Sequence, residues 1–147
     1  MFKQLRTTKR PKPAELSEKW YLVNAAGKNL GRLATALAKV LIGKTSATFD
    51  PAVLIPTKIV VINAAEVKIT GKKLEQKKYY RHSGYTGGLK TTLLGDLMEK
   101  NPTLVLQKAV SGMLPKNKLR RLRLANLKIY ADDQHPHIAQ KPVNLEL

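Results

Sequence analysis

Ile59-Val60-Val61-Ile62 is an unbroken run of β-branched residues. A strand wetted on one face alternates apolar with polar residues, whereas a continuous apolar run marks a strand covered on both faces. Covering both faces takes a layer on each side of a sheet, so this run points to a layered α/β body. The segment before it fits. Trp20-Tyr21-Leu22-Val23 reads as a first strand, ended by Asn24-Ala25-Ala26-Gly27. Leu30, Leu33, Ala34, Leu37, Ala38 and Leu41 then recur at helical spacing, with Gly43 as the stop. Residues 44–57 contain Pro51 and Pro56 and read as a loop.

Beyond the run, Val67, Ile69 and Gly71 mark a third, short strand. Residues 71–90, with Gly84, Gly87 and Gly88, read as a loop. Leu93, Leu94, Leu97 and Met98 mark a helix with Thr91 or Thr92 as its N-cap. Asn101-Pro102 opens another with a cap residue and proline at its first position, burying Leu106, Ala109, Val110 and Met113. Leu119, Leu122 and Leu124 mark a short helix, Leu127–Tyr130 a last strand, and the tail is irregular. Strands alternating with helices give the α/β class with a mainly parallel sheet. The 147 residues show no internal repeat and suffice for one domain. Residues 1–18 are set aside as a basic extension of a body spanning 19–147.

The charge narrows the partner. Lys and Arg number 27 against 10 Asp and Glu, a net charge of +17. Free domains of this size carry roughly 2–8 charges, so a polyanion is the natural partner. No segment reaches the ~20 apolar residues of a membrane span. The start, MFKQLRTTKRPKP, has no apolar run for a secretory signal, and Pro11 and Pro13 disfavour a helical presequence, which points to a cytoplasmic rather than organellar setting. There is no cysteine, which removes disulfides, thiol catalysis and cysteine-held metals.

Motifs for small-molecule chemistry are incomplete. Gly43-Lys44-Thr45 lacks the earlier glycine of a phosphate loop, since position 38 is Ala, and it follows a helix instead of opening one. Gly27 and Gly31 sit where a dinucleotide site would, without its full spacing, and read as tight turning and helix packing. Even so, a helix start there attracts an RNA phosphate. His135 and His137 form too sparse a ligand set for a metal and suit stacking on bases or pairing with phosphate. Asp50, Glu66 and Asp96 are scattered, with no pair for acid–base work. The chain is therefore expected to be no enzyme and to need neither cofactor nor metal, against the alternative of an RNA-processing or nucleotide-using enzyme.

The stretch 72–90 carries the positive signal. Lys72, Lys73, Lys77, Lys78, Arg81 and Lys90 are interleaved with Tyr79, Tyr80, His82 and Tyr85, and Glu75 is the only acid. The cations neutralise phosphates and the rings stack on unpaired bases. At least one tyrosine of the pair 79–80 is expected in the core. Other candidates are Lys3, Arg6, Lys9, Arg10 and Lys12 in the arm, with Lys28, Arg32 and Lys44 around the first helix. Lys116, Asn117, Lys118, Arg120, Arg121 and Arg123 add a basic patch in a span, 101–131, that has no acid at all. Several basic segments around one small body suit a folded RNA better than a duplex groove. A regulatory binder of messenger RNA is a second form of that reading.

The residues also resemble a known family. NAAGKNLGRLA (24–34), VVINAAEVKITGKK (60–73), KYYRHSGYTGGLK (78–90), AVSGMLPKN (109–117), LKIYA (127–131) and HPHIAQKP (135–142), after Trp20-Tyr21, are similar in order to the bacterial form of the large-subunit ribosomal protein L-thirteen family. The resemblance implies a three-layer α/β/α domain with a four-stranded parallel sheet. It further implies large-subunit ribosomal RNA and neighbouring ribosomal proteins as partners, an early role in assembly, and no catalysis. RNA contacts carry over to Lys72–Lys90, to Met113–Asn117 and to Lys28 and Arg32. The chain departs from the family pattern at AVLIPTK (52–58), Leu119-Arg120-Arg121 and Asp132-Asp133-Gln134.

Overall fold

The computed structural model describes residues 10–12, 15–47 and 49–146. Lys3, Arg6 and Lys9 lie outside the described residues. The body is a four-stranded parallel sheet in the order β5-β2-β1-β6. Its centre is β1 (Lys19–Asn24) beside β2 (Thr57–Ile62), registered Tyr21 with Ile59 and Val23 with Val61. β5 (Leu127–Ile129) continues the sheet on the β2 side and the short β6 (Val143–Asn144) on the β1 side.

The alternation of a strand assigns each face. Tyr21, Val23, Ile59, Val61, Leu127 and Ile129 share one face and join a single apolar core with helix α1 (Leu30–Ile42) and helix α4 (Pro102–Met113). Val23, Ile59 and Val61 there are fully buried, each stabilising the fold by roughly 1.5–3 kcal/mol. Val60 and Ile62 point to the opposite face and are buried too. That is why this strand reads as continuously apolar. The second outer layer is the C-terminal segment around a 3-10 turn, Ile138–Gln140. Its His137 ring lies 5.2 Å from the Trp20 ring and its Nε2 is 3.0 Å from the Tyr130 hydroxyl. The architecture is thus the expected three-layer α/β/α.

Local chemistry sets the helix ends. Gly43 closes α1 at φ +90°, its N–H donating to Val40 and Lys39 carbonyls, a left-handed cap that favours glycine. The Asn101 side chain accepts from the Leu104 N–H, and Pro102 begins α4, as the sequence indicates. The short helices α3 (Leu94–Lys100) and α5 (Leu119–Ala125) flank α4.

Several expectations are corrected. Val67–Ile69 is no strand; it makes one bridge, Lys68 with Asn29. The fourth strand comes instead from the tail, whose Leu145 N–H donates to the Leu22 carbonyl. The glycine-rich segment 71–90 is not merely a loop. After one helical turn, α2 (Lys73–Gln76), it forms an antiparallel hairpin of β3 (Lys78–His82) and β4 (Leu89–Leu93). Thr91 and Thr92 therefore belong to β4, and Leu93 caps α3. Met113 is 42% exposed instead of buried, and Leu122 likewise faces outward.

Candidate nucleic-acid interface

The hairpin stands off the body with nearly every residue exposed. Its register places Tyr79 opposite Thr92 and Arg81 opposite Lys90 on one face, and Tyr80 opposite Thr91 and His82 opposite Leu89 on the other. Arg81 facing Lys90 sets two like charges directly across the ladder, an arrangement that destabilises a free sheet. At the tip, the Gly84 N–H donates to His82 Nδ1 at 3.0 Å and the Gly88 N–H to the Tyr85 carbonyl at 2.9 Å. Gly84 and Gly87 hold positive φ, which lets the six-residue turn close. Tyr80 is 64% exposed and Tyr85 81% exposed, so both rings are available for stacking. Tyr79 is the tyrosine that turns inward, and burial pushes its hydroxyl pKa above the usual value.

Between the hairpin base and the body lies a cleft of about 510 Å³. One wall is the start of α1, another the C-terminal half of α4, and the rest is Lys68–Thr70 with the hairpin base. The bridge between Asn29 and Lys68 fixes two of these walls: the Leu30 N–H donates to the Lys68 carbonyl and the Lys68 N–H to that of Lys28. Lys73 and Lys77 open into it, joined by Lys68 and Lys108, while no acid lines it among the described residues. Lys108 Nζ sits 4.8 Å from the Tyr79 ring centre and Lys77 Nζ 5.9 Å, both cation–π distances. Arg81 and Lys90 share the Tyr79 face of the hairpin, so the positive lining continues outward along it.

The remaining candidates divide. Lys72, Lys78, Arg32, Lys116, Asn117, Lys118 and Arg121 are exposed, and Lys28 is half-buried beside the start of α1. The 116–118 segment leaves α4 directly after Met113 and Leu114, next to the cleft. Arg120 is half-buried and donates to the Ser111 hydroxyl at 2.8 Å. Lys44, Arg10 and Lys12 belong to a second basic region, at the other end of α1 and about 20 Å away by helix rise. There Arg10 pairs with Asp50 at 2.8 Å. The Ala52 N–H, and then Arg10, hold the Asp50 carboxyl below its usual pKa. This contact ties the described end of the arm to the loop before β2.

Three candidates are corrected. Arg123, expected at the surface, is 1% exposed, and its guanidinium donates to the Pro51 carbonyl at 3.2 Å. Burial lowers its pKa. His135 and His137 are half-buried and face the molecule itself. His135 Nδ1 accepts from the His137 N–H at 3.2 Å, and both rings contact Tyr130. They pack over the second face of the sheet, on Trp20 and Tyr130.

Sequence reasoning omitted Lys68 and Lys108 from the interface. Lys108 belongs to the acid-free span 101–131, a signal already present in the sequence, and Lys68 alternates with the inward Val67 and Ile69. The sheet also has a crevice of about 380 Å³ beside the C-terminal end of β1, where the strand order reverses and α/β enzymes hold ligands. Lys28 and Glu146 both line it, and the Asn24 Oδ1 there accepts from the Ala26 N–H and the Asn63 amide.

The profile of the family described as ribosomal protein L13 matches residues 18–136. A large ribosomal subunit protein uL13 of Lawsonia intracellularis is 54% identical over 137 residues, covering 93% of this chain and 95% of that protein. The uL13 of Carboxydothermus hydrogenoformans is 51% identical, covering 94% and 96%. That of Geobacter sulfurreducens is 48% identical, covering 97% of this chain and all of the relative.

Proposed function

This chain belongs to the ribosomal protein L13 family, and we propose that it acts as a structural constituent of the large ribosomal subunit. It binds large-subunit ribosomal RNA, touches neighbouring ribosomal proteins and supports early assembly; it is no enzyme. Its place of work is the cytoplasmic ribosome. The observation that carries the reading is the hairpin: two cations directly opposed at Arg81 and Lys90, on an exposed arm with bare tyrosines. A phosphate placed between such cations turns their repulsion into attraction, and release of its counterions drives binding. The lysines of 72–78, Lys28, Arg32 and Lys116–Arg121 extend that footprint over one end of the body. Arg10, Lys12 and Lys44 supply a second contact, to which the arm within residues 1–18 adds Lys3, Arg6 and Lys9. Residues 19–147 act as one domain.

Crosslinking of the tagged full chain to RNA in cells, with sequencing, tests the reading. Recovered sequences should concentrate on large-subunit ribosomal RNA. Sequences spread over messenger or transfer RNA would overturn it in favour of a regulatory binder.

A further inference from the structure

We propose that the cleft between the hairpin base, the start of α1 and the end of α4 receives a single unpaired ribonucleotide, its base inside and its phosphates on the surrounding lysines. The inference rests on the RNA-binding reading and adds to it an insertion site, distinct from contact along the exposed hairpin.

Four observations converge. The cleft, at about 510 Å³, falls within the size range of sites that enclose small ligands. Its interior is apolar, formed by Leu30, Ile69, Leu94, Ala109 and Met113, which suits the face of a base and not a hydrated phosphate. Its cations are Lys68, Lys73, Lys77 and Lys108, with no acid among the described lining residues. An apolar interior with cationic surroundings is complementary to a nucleotide, whose base is flat and weakly polar and whose backbone is anionic. Asn29 also lines the cleft, and its Oδ1 is buried without a hydrogen-bond partner. An exocyclic amine of a base or a ribose 2′-hydroxyl would donate to it.

A fifth observation concerns Gly31 and Gly112, which line the cleft from α1 and α4. Glycine weakens a helix relative to alanine. Neither residue has a positive φ, and a Cβ built on either meets nothing within 4 Å. No contact within this fold requires glycine at either position. A ligand that approaches both helix backbones does. The two cations at the Tyr79 ring stand where a nucleotide backbone would leave the cleft for the hairpin.

The same glycines provide the test, because filling the cleft changes no charge. The probe is the large-subunit ribosomal RNA fragment recovered with the full chain, mixed with purified protein, with ultraviolet crosslinks mapped to amino acids by mass spectrometry. Expected are single-nucleotide adducts on Tyr79 or Met113 in addition to Tyr80 or Tyr85. Gly112→Phe should lower affinity about tenfold with the salt dependence unchanged and the melting temperature not reduced. Gly31→Leu, from the opposite wall, should do the same, and it stands in if Gly112→Phe folds poorly. Adducts confined to Tyr80 and Tyr85, with wild-type affinity for both variants, would overturn the insertion site while leaving RNA binding intact. Absence of any salt-sensitive RNA binding would overturn both readings.

Discussion

Arg123 heads the fully buried side chains by size, yet among the described residues its guanidinium has one hydrogen-bond partner, the Pro51 carbonyl, and its Nε is buried with none. Replacing a buried cation by an apolar residue of similar volume is often neutral or stabilising, whereas truncation leaves a cavity. Arg123→Met should therefore hold stability within about 1 kcal/mol. Arg123→Ala should lose about 2–4 kcal/mol. Denaturant unfolding measures both, and neither variant should alter the salt dependence of RNA affinity, as the exposed Arg121 would. The leucines of α5 do not mark its buried face. Leu119, Arg120, Arg123, Leu124 and Leu127 are the positions of α5 and its exit that turn inward, while Leu122 is 50% exposed. Helical spacing alone allowed either stripe, and residue type pointed to the wrong one.

At the scale of elements, caps and fully buried strands were legible because their causes are local. Asn101-Pro102 and Gly43 mark helix ends wherever they fall, and the continuous apolar run at 59–62 requires two covering layers. Gly43 has a further constraint, for a Cβ there would overlap the Ile55 side chain. Gly43→Ala should destabilise by about 2 kcal/mol through the left-handed strain and that overlap, read as a lower unfolding midpoint. The hairpin and β6 were not legible. A strand signature is a half-buried face, and β3 and β4 bury almost nothing, so neither period nor composition records their pairing. β6 is two residues long and exists only because β1 offers a free edge. The opposed pair on the hairpin gives a separable prediction. Lys90→Glu should stabilise the free protein by roughly 0.2–1 kcal/mol across from Arg81, yet weaken RNA affinity. A raised melting temperature with unchanged affinity would mean that this pair faces no phosphate.

Over the whole molecule, charge and fold are divided between the two ends of α1. Among the described residues Arg123 is the one charged side chain in the core, so the cations lie almost entirely outside it, with one group at the cleft and hairpin and another beside the C-terminus of α1. The first region was partly visible in the sequence as 72–90, but its convergence with α4 through Lys108 depends on tertiary packing, which spacing does not encode. A footprint of this kind makes affinity a function of salt, since each neutralised phosphate releases counterions. Reversing Lys72, Lys73, Lys77 and Lys78 together to glutamate changes only exposed positions, so the fold should melt nearly as wild type. The slope of log affinity against log salt should become shallower by roughly 3, about 0.7 for each contact to unpaired RNA. The same reversal at Arg10, Lys12 and Lys44 should take away a separate increment, and the two sets should add, being too far apart to share a phosphate. If the first set leaves the slope unchanged while the second abolishes it, the arm end of the molecule, and not the hairpin, is the RNA-binding face.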